Sequence, residues 1–525
     1  MKIKFIAIQN FRKLKCCQIN FSEKETLFVG ANNSGKTSAM DALINFLSSN
    51  KKKQTDDADI GSTQSNKFHT TDFTLSNWHD INSFGKSWLT NEDQTGNELL
   101  EWQTLCPSID VWLNVEVNEV QKVTHLIPTL KWNGGALGVR LIYQPKDINV
   151  LKAEFLADYN AADELIKSEA EQASLLTLWP KSLRDFLDRK LSNHFEVKAY
   201  LLDTDKMSCD SAIPQPLMAQ QDPLASYPFN GLFKVDVIEA QRGFSDPNSS
   251  HGNANKNDGN LSAQLHQYYL KHLNPTDLPD KKDIKALSAI GVAKQSFDER
   301  LNESFKNALG EIKGLGYPGF NDPDIQLSSQ VNPVDSLDHE ASVLFTVQKH
   351  GEATDLDFSL PEKYNGLGYK NLIYMVFWLI AFRDNWLRKG KLGKHRTEED
   401  IAIEPLHLVL IEEPEAHLHA QVQQVFIRKA YEVLAKDSRK NLSTQMIVSS
   451  HSSYLVHEVD FEKLRYFQRI AAEGNTKVPH AKVIDLSGVF GEEKKRKPKE
   501  KQTAEFVARY LKATHCDLFF ANGLI

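Results

Sequence analysis

The chain has 525 residues, 41% of them hydrophobic and 25% charged, with a formal net charge of −7. That balance describes an ordinary globular protein long enough for two or three domains, and it gives no support to a wholly basic nucleic-acid binder, although a local basic patch suffices for phosphate contacts. No apolar run approaches the ~20 residues of a membrane span, and five cysteines, two of them adjacent (Cys16 and Cys17), offer no disulfide framework and suggest a reducing compartment.

Lys2 to Gln9 alternates as a strand rather than as a signal peptide, so the expected location is the cytoplasm. The apolar run Thr26-Leu27-Phe28-Val29 reads as a buried strand, and Ser38 to Leu47 reads as a helix, with Met40, Leu43, Ile44 and Leu47 at helical spacing. Between them lies Gly30-Ala31-Asn32-Asn33-Ser34-Gly35-Lys36-Thr37-Ser38, a complete G-x-x-x-x-G-K-[ST] loop. The glycines let successive N–H groups of Asn32, Asn33, Ser34, Gly35 and Ser38 turn toward phosphate oxygens. The helix start adds its dipole. Lys36 supplies a point charge for the β- and γ-phosphates, and the Thr37 hydroxyl is a Mg²⁺ ligand. ATP with Mg²⁺ is the expected cofactor. A glycine-rich turn without a ligand is the alternative, and the strand–loop–helix context argues against it.

Residues 48 to 67 read as a polar loop. Ile109–Val117 and Gly138–Tyr143 read as strands joined by a turn at Asn133-Gly134-Gly135. Residues 150 to 200 read as helical and charged, and Phe233 to Ile238 as a strand. Residues 244 to 260 collapse to Ser, Asn, Gly, Asp and His, a flexible loop by composition. A helical pattern resumes from Leu261 to about Leu309, and residues 349 to 357 read as a turn. The segment from Leu360 continues into a strongly apolar helix ending near Leu387.

Leu406 to Ile411 reads as a second buried parallel strand, closing on Glu412-Glu413-Pro414. Gln445 to Val448 reads as a third, closing on Ser449-Ser450-His451. Buried strands alternating with helices make a parallel α/β sheet whose ligands gather at the carboxyl edge. Phosphoryl transfer needs a metal, a group that orients water and a sensor of the γ-phosphate. Glu412 suits the metal, Glu413 the attacking water, and His451 the γ-phosphate, so Lys36, Glu413 and His451 form the expected catalytic set. His417 and His419, two residues apart in a site already organised for Mg²⁺, make a poor tetrahedral zinc set.

The order of Asn10-Phe11-Arg12, the phosphate loop, Asn365-Gly366-Leu367-Gly368, Glu412-Glu413 and His451 resembles the ABC-type ATPase head of RecF, SMC and OLD (overcoming lysogenization defect) proteins. The string Leu410-Ile411-Glu412-Glu413-Pro414-Glu415-Ala416-His417-Leu418-His419 resembles the OLD family in particular, including Gabija-type antiphage nucleases. RecF and SMC heads usually carry aspartate at the position of Glu412. The resemblance implies an α/β ABC-type P-loop ATPase head with a mixed sheet and an inserted helical dimerisation arm. Its halves are expected at 1–150 and 311–490, the insertion at 151–310, and a basic linker with the start of a further domain at 491–525.

The resemblance also implies that Arg12 lies near the nucleotide. Asn365, Gly366 and Gly368 would form a signature motif that reaches the ATP of a second copy in a head-to-head homodimer. Asn365 stands where transporters carry serine. Double-stranded DNA is the implied partner, tetramers a further family expectation, and antiphage defence the implied setting. Asp517 to Ile525 would run toward a TOPRIM nuclease domain whose opening glutamate is not reached, so no nuclease site is expected in this chain. A stand-alone ATPase serving a separate HNH-type nuclease, and a DNA-repair ATPase of RecF or SMC type, are the other arrangements. The basic run Lys494 to Lys501 reads as a solvated linker or a DNA-backbone contact.

Overall fold

The computed structural model describes residues 1–48, 68–90, 98–129, 131–168, 179–207, 214–217, 221–240, 292, 295–307, 310–311, 324–329, 341–346, 359–361, 367–388, 403–416, 418–436, 439, 441–472, 478–486, 498–513 and 519–520. The strands in chain order are β1 Lys2–Phe11, β2 Leu14–Asn20, β3 Glu25–Val29, β4 Ser108–Val115, β5 Gly135–Pro145, β6 Phe195–Leu201 and β7 Phe233–Ile238. They continue as β8 Asp324–Ser329, β9 Ala341–Thr346, β10 Ser359–Pro361, β11 Leu406–Glu412, β12 Ser443–Ser450, β13 Leu464–Ile470 and β14 His480–Asp485. The α-helices are α1 Lys36–Leu47, α2 Trp78–Thr90, α3 Glu98–Leu105, α4 Ile148–Ser168, α5 Leu183–His194 and α6, 295–307. After them come α7 Leu367–Trp386, α8 Ala420–Ala435, α9 Ser453–Glu458 and α10 Pro498–Ala513.

One sheet has the order β2-β1-β4-β5-β6 and is antiparallel throughout. The other has the order β14-β13-β3-β12-β11-β7, parallel except where β14 pairs with β13. Strands covered on both faces read as continuous apolar runs, and β11 and most of β12 are buried along their length for that reason. A third small sheet, β10-β9-β8, is antiparallel. The fold is therefore the α/β class with mixed sheets that the sequence leads one to expect.

Within 151–310 the expectation of a helical insertion needs correction. α4, α5 and α6 lie there, but β6 closes the antiparallel sheet and β7 is paired along β11 in the parallel one. Residues 195–201 and 233–238 thus belong to the two main sheets. The reading of 150–200 as wholly helical fails at β6 for the same reason. The loops at 49–67, 244–260 and 349–357 lie outside the described residues, as do Lys494 to Lys497.

Gln445 of β12 ties the two sheets together. Its Oε1 accepts from the Ile3 N–H at 2.8 Å, and its Nε2 donates to the carbonyls of Ile3 and Ser22 at 3.0 Å each. The order β3, β12, β11, β7 has the consequence that matters for function. Val29 lies opposite Ser450, Ser449 opposite Glu412, and Ile411 opposite Ile238, so four carboxyl-terminal loops emerge level and side by side.

Candidate functional site

The loop after β3 owes its path to two glycines. Gly30 has φ +151°, and a Cβ there would meet the Phe467 carbonyl at 2.5 Å. Gly35 has φ +102° and forms the N-cap of α1. Only glycine takes such backbone angles at little cost. Asn33 also lies at positive φ, +61°.

Lys36 folds back into the loop it terminates. Its Nζ donates to the Gly30 carbonyl at 2.7 Å and the Ala31 carbonyl at 3.0 Å, with Ser34 Oγ at 3.4 Å and His451 Nδ1 at 3.3 Å. The side chain is buried, and burial pulls the ammonium down to about 8, against the pull of Glu413 and Glu415. His451 Nε2 stands 3.1 Å from Glu413 Oε1. A Lys36 ammonium that donates to Nδ1 leaves the imidazole hydrogen on Nε2, facing Glu413. The His451 pKa is lowered, first by burial and then by the Lys36 charge. Lys36, His451 and Glu413, from the ends of three different strands, therefore form one hydrogen-bonded line.

Glu413 departs from β11 with φ +41°, and its N–H donates to the Ser449 carbonyl at 2.9 Å. Glu412, the last residue of β11, is 9% exposed, and its carboxyl is raised to about 7. Burial is the largest cause, followed by the charges of Asp41, Glu239 and Glu413, while the Ala240 N–H works the other way. Carboxylates that repel one another in a buried corner are a donor set suited to a divalent cation, whose charge would offset that repulsion. Thr37 is exposed at the start of α1, with Ser38 half-buried beside it. Glu412 is the kind of hard oxygen donor that Mg²⁺ takes.

Arg12 has φ +51°. Its Nε donates to Asp72 Oδ1 at 2.9 Å and its guanidinium also bonds Asp41 on α1. Arg12 thus buttresses the helix that carries Lys36. Beside it, Lys13 Nζ reaches the Asn33 carbonyl at 3.5 Å and Arg469 reaches the Asn32 carbonyl at 3.3 Å. Burial and the Arg469 charge lower the Lys13 pKa. Arg12, Lys13, Lys15 and His480 line a cleft next to this basic rim. Asn32 and Asn33 are exposed on the loop crest.

Gly368 lies in the first turn of α7, while Asn365, Gly366 and His417 lie outside the described residues. His419 is the N-cap residue of α8. The sequence patterns do not single out Asp41, Glu239, Glu415, Lys13 or Arg469 as site residues. Glu239 carried the same signal as Glu412, a carboxylate directly after an apolar strand. The other four reach the site through contacts that no local pattern announces.

A family described as "AAA ATPase domain" matches residues 1–456. The chain is 20% identical over 537 residues to Endonuclease GajA of Bacillus cereus (strain HuB5-5), an alignment covering 100% of this chain and 66% of that protein. It thus spans about two thirds of that relative's length. Among solved structures, an SmcHead bound to the C-winged helix domain of ScpA aligns at 14% identity and TM-score 0.36, covering 93% of this chain and 98% of that one. The SMC head domain from Thermotoga maritima aligns at 11% identity and TM-score 0.34, covering 92% and 99%. Among the described residues no helix is long and apolar enough to cross a membrane.

Proposed function

This chain belongs to the AAA ATPase domain family, and on that premise we propose that it binds and hydrolyses ATP at the edge shared by β3, β12, β11 and β7, as the switching head of a DNA-processing machine. The observation that carries the reading is the line Lys36–His451–Glu413, assembled from three strand ends around a phosphate loop.

The backbone N–H groups of Asn32 to Lys36 and the start of α1 cradle the phosphates. The Lys36 ammonium, now satisfied by the Gly30 and Ala31 carbonyls, transfers its donors to the β- and γ-phosphate oxygens. Thr37 and Glu412 would hold Mg²⁺, which supplies charge neutralisation along the triphosphate. The Glu413 carboxylate orients the attacking water and accepts its proton as the new P–O bond forms and the bond to the bridging oxygen breaks. The His451 imidazole donates from Nε2 and holds Glu413 and Lys36 in register around the γ-phosphate.

In the same proposal a second copy completes the site, its Asn365, Gly366 and Gly368 closing over the nucleotide, so that ATP joins two heads and hydrolysis parts them. The kinship with a protein named as an endonuclease supports a role in gating DNA binding or cleavage, the cutting itself being done by a TOPRIM-type domain or a separate nuclease. The test is a pair of variants. Glu413→Gln should bind ATP and fail to turn it over, and Lys36→Ala should lose binding. Unchanged hydrolysis in the first, or tight binding in the second, overturns the reading.

A further inference from the structure

We propose that Glu415 is a positioning residue for His451, and that the loop carrying it ties the switch histidine to helix α7. The inference rests on the ATPase reading above and adds a residue that the reading does not use.

Glu415 sits in the turn after Pro414. Its Oε1 accepts from Ser450 Oγ at 3.0 Å and from the backbone N–H of His451. One carboxylate oxygen therefore grips the chain at the residue where β12 ends and the site begins. Ser450 Oγ in turn accepts from the Ser452 N–H at 2.9 Å. The far side of the same loop is equally held. Asn371 of α7 donates from Nδ2 to the Ala416 carbonyl, Gln423 of α8 donates from Nε2 to the Leu418 carbonyl at 2.8 Å, and Gln423 Oε1 accepts from Ser452 Oγ.

The geometry makes this grip consequential. The His451 ring spans Lys36 at 3.3 Å and Glu413 at 3.1 Å, both near the outer limit of a hydrogen bond. A displacement of the His451 peptide by a few tenths of an ångström breaks one contact or the other. Past the end of β12 at Ser450, some group must hold that peptide's N–H. The Glu415 carboxylate does, and it is buried enough that its own pKa is raised. Because α7 holds the same loop through Asn371, a shift of α7 is transmitted to the peptide that aims the imidazole. Gly368, the residue expected to face a second copy, lies in the first turn of α7.

The experiment uses the full chain with Glu415→Ala, Glu415→Gln and Ser450→Ala. Three readouts are taken: kcat for ATP, Kd for ATP, and the pH titration of the His451 imidazole by NMR in the nucleotide-free protein. Glu415→Ala should lower kcat at least about tenfold while Kd changes by less than about threefold, because misaimed chemistry costs rate rather than ground-state binding. The same variant should move the His451 titration toward that of an ordinary histidine. Glu415→Gln keeps an oxygen acceptor and should restore most of kcat. Ser450→Ala, which removes one of the two donors, should fall between them and carries the test if Glu415→Ala does not fold. Wild-type kcat with an unmoved His451 titration in Glu415→Ala, or a Glu415→Gln as impaired as the alanine variant, overturns the proposal. If the parent chain hydrolyses no ATP, the functional reading falls, and the His451 titration still decides the positioning role.

Discussion

Lys36 Nζ and His451 Nδ1 lie 3.3 Å apart although 415 positions separate them in the chain. Two groups able to carry positive charge share one buried corner, and both have pKa values lowered by burial first. A negatively charged group placed there would favour the charged forms of both.

A pH dependence follows from Lys36. Its ammonium titrates at about 8 in the empty protein, and a bound triphosphate favours the charged form. Above that pH the lysine must take up a proton on binding, so Kd should rise by up to about tenfold per pH unit. Calorimetric titrations at pH 8.5 in buffers of different ionisation enthalpy should show proton uptake by the lysine that shrinks as the pH is lowered toward 7. A Kd flat from pH 7 to 9 would contradict this.

Glu412 makes an opposing demand on stability. Its folded pKa of about 7 stands above the ordinary 4.5, so the charged form destabilises the fold. The sign is that of a raised acid: the penalty is complete above pH 7 and fades as pH falls toward 4.5. Glu412→Gln should therefore stabilise the nucleotide-free protein at pH 8 by about 2–3 kcal/mol, and by much less at pH 5. Denaturant unfolding at the two pH values measures the difference. The same variant should lose Mg²⁺-dependent hydrolysis.

Asp110 and Arg140 face each other across β4 and β5 with bidentate contacts of 2.6 and 2.7 Å, both nearly out of solvent. Removing one partner strands the other charge. Asp110→Ala should cost about 3–5 kcal/mol of stability, visible as a lowered unfolding midpoint with little change in Kd for ATP.

Gln445→Leu would leave the Ile3 N–H and the carbonyls of Ile3 and Ser22 without the amide that now satisfies them. The expected loss is about 2–4 kcal/mol. Hydrogen exchange should quicken first at Ile3, where β1 has a register irregularity.

That Lys36, His451 and Glu413 lie together was legible in the chain because their placement obeys local rules. Glu412 ends a buried parallel strand, Glu413 and His451 directly follow one, and Lys36 closes the loop after another; such strands advertise themselves as unbroken apolar runs. The sequence marks Phe233–Ile238 as a strand yet places it within the expected insertion. The reason is physical: β7 is an edge strand, and an edge tolerates Lys234 and Asp236 where a central strand would not. Asp236 even meets the buried His407 at 2.8 Å. Arg12 shows the opposite limit. Its partners Asp41 and Asp72 lie 29 and 60 positions away, and no periodicity connects them. Glu415 was in plain view within Glu-Pro-Glu, but its role depends on a backbone N–H donated from β12's end, which only the fold supplies.

Glu413 holds φ at +41°, a region that suits glycine and costs a glutamate of order 1 kcal/mol. Glycine at 413 would relax the bend and remove the carboxylate in the same stroke. Any residue without a β-carbon is silent chemically, and any residue with a carboxylate must accept the twist. Comfort and a carboxylate at that position cannot be improved independently, so, on the proposed role of Glu413, screens that select only for a hardier protein should drift toward an inert one.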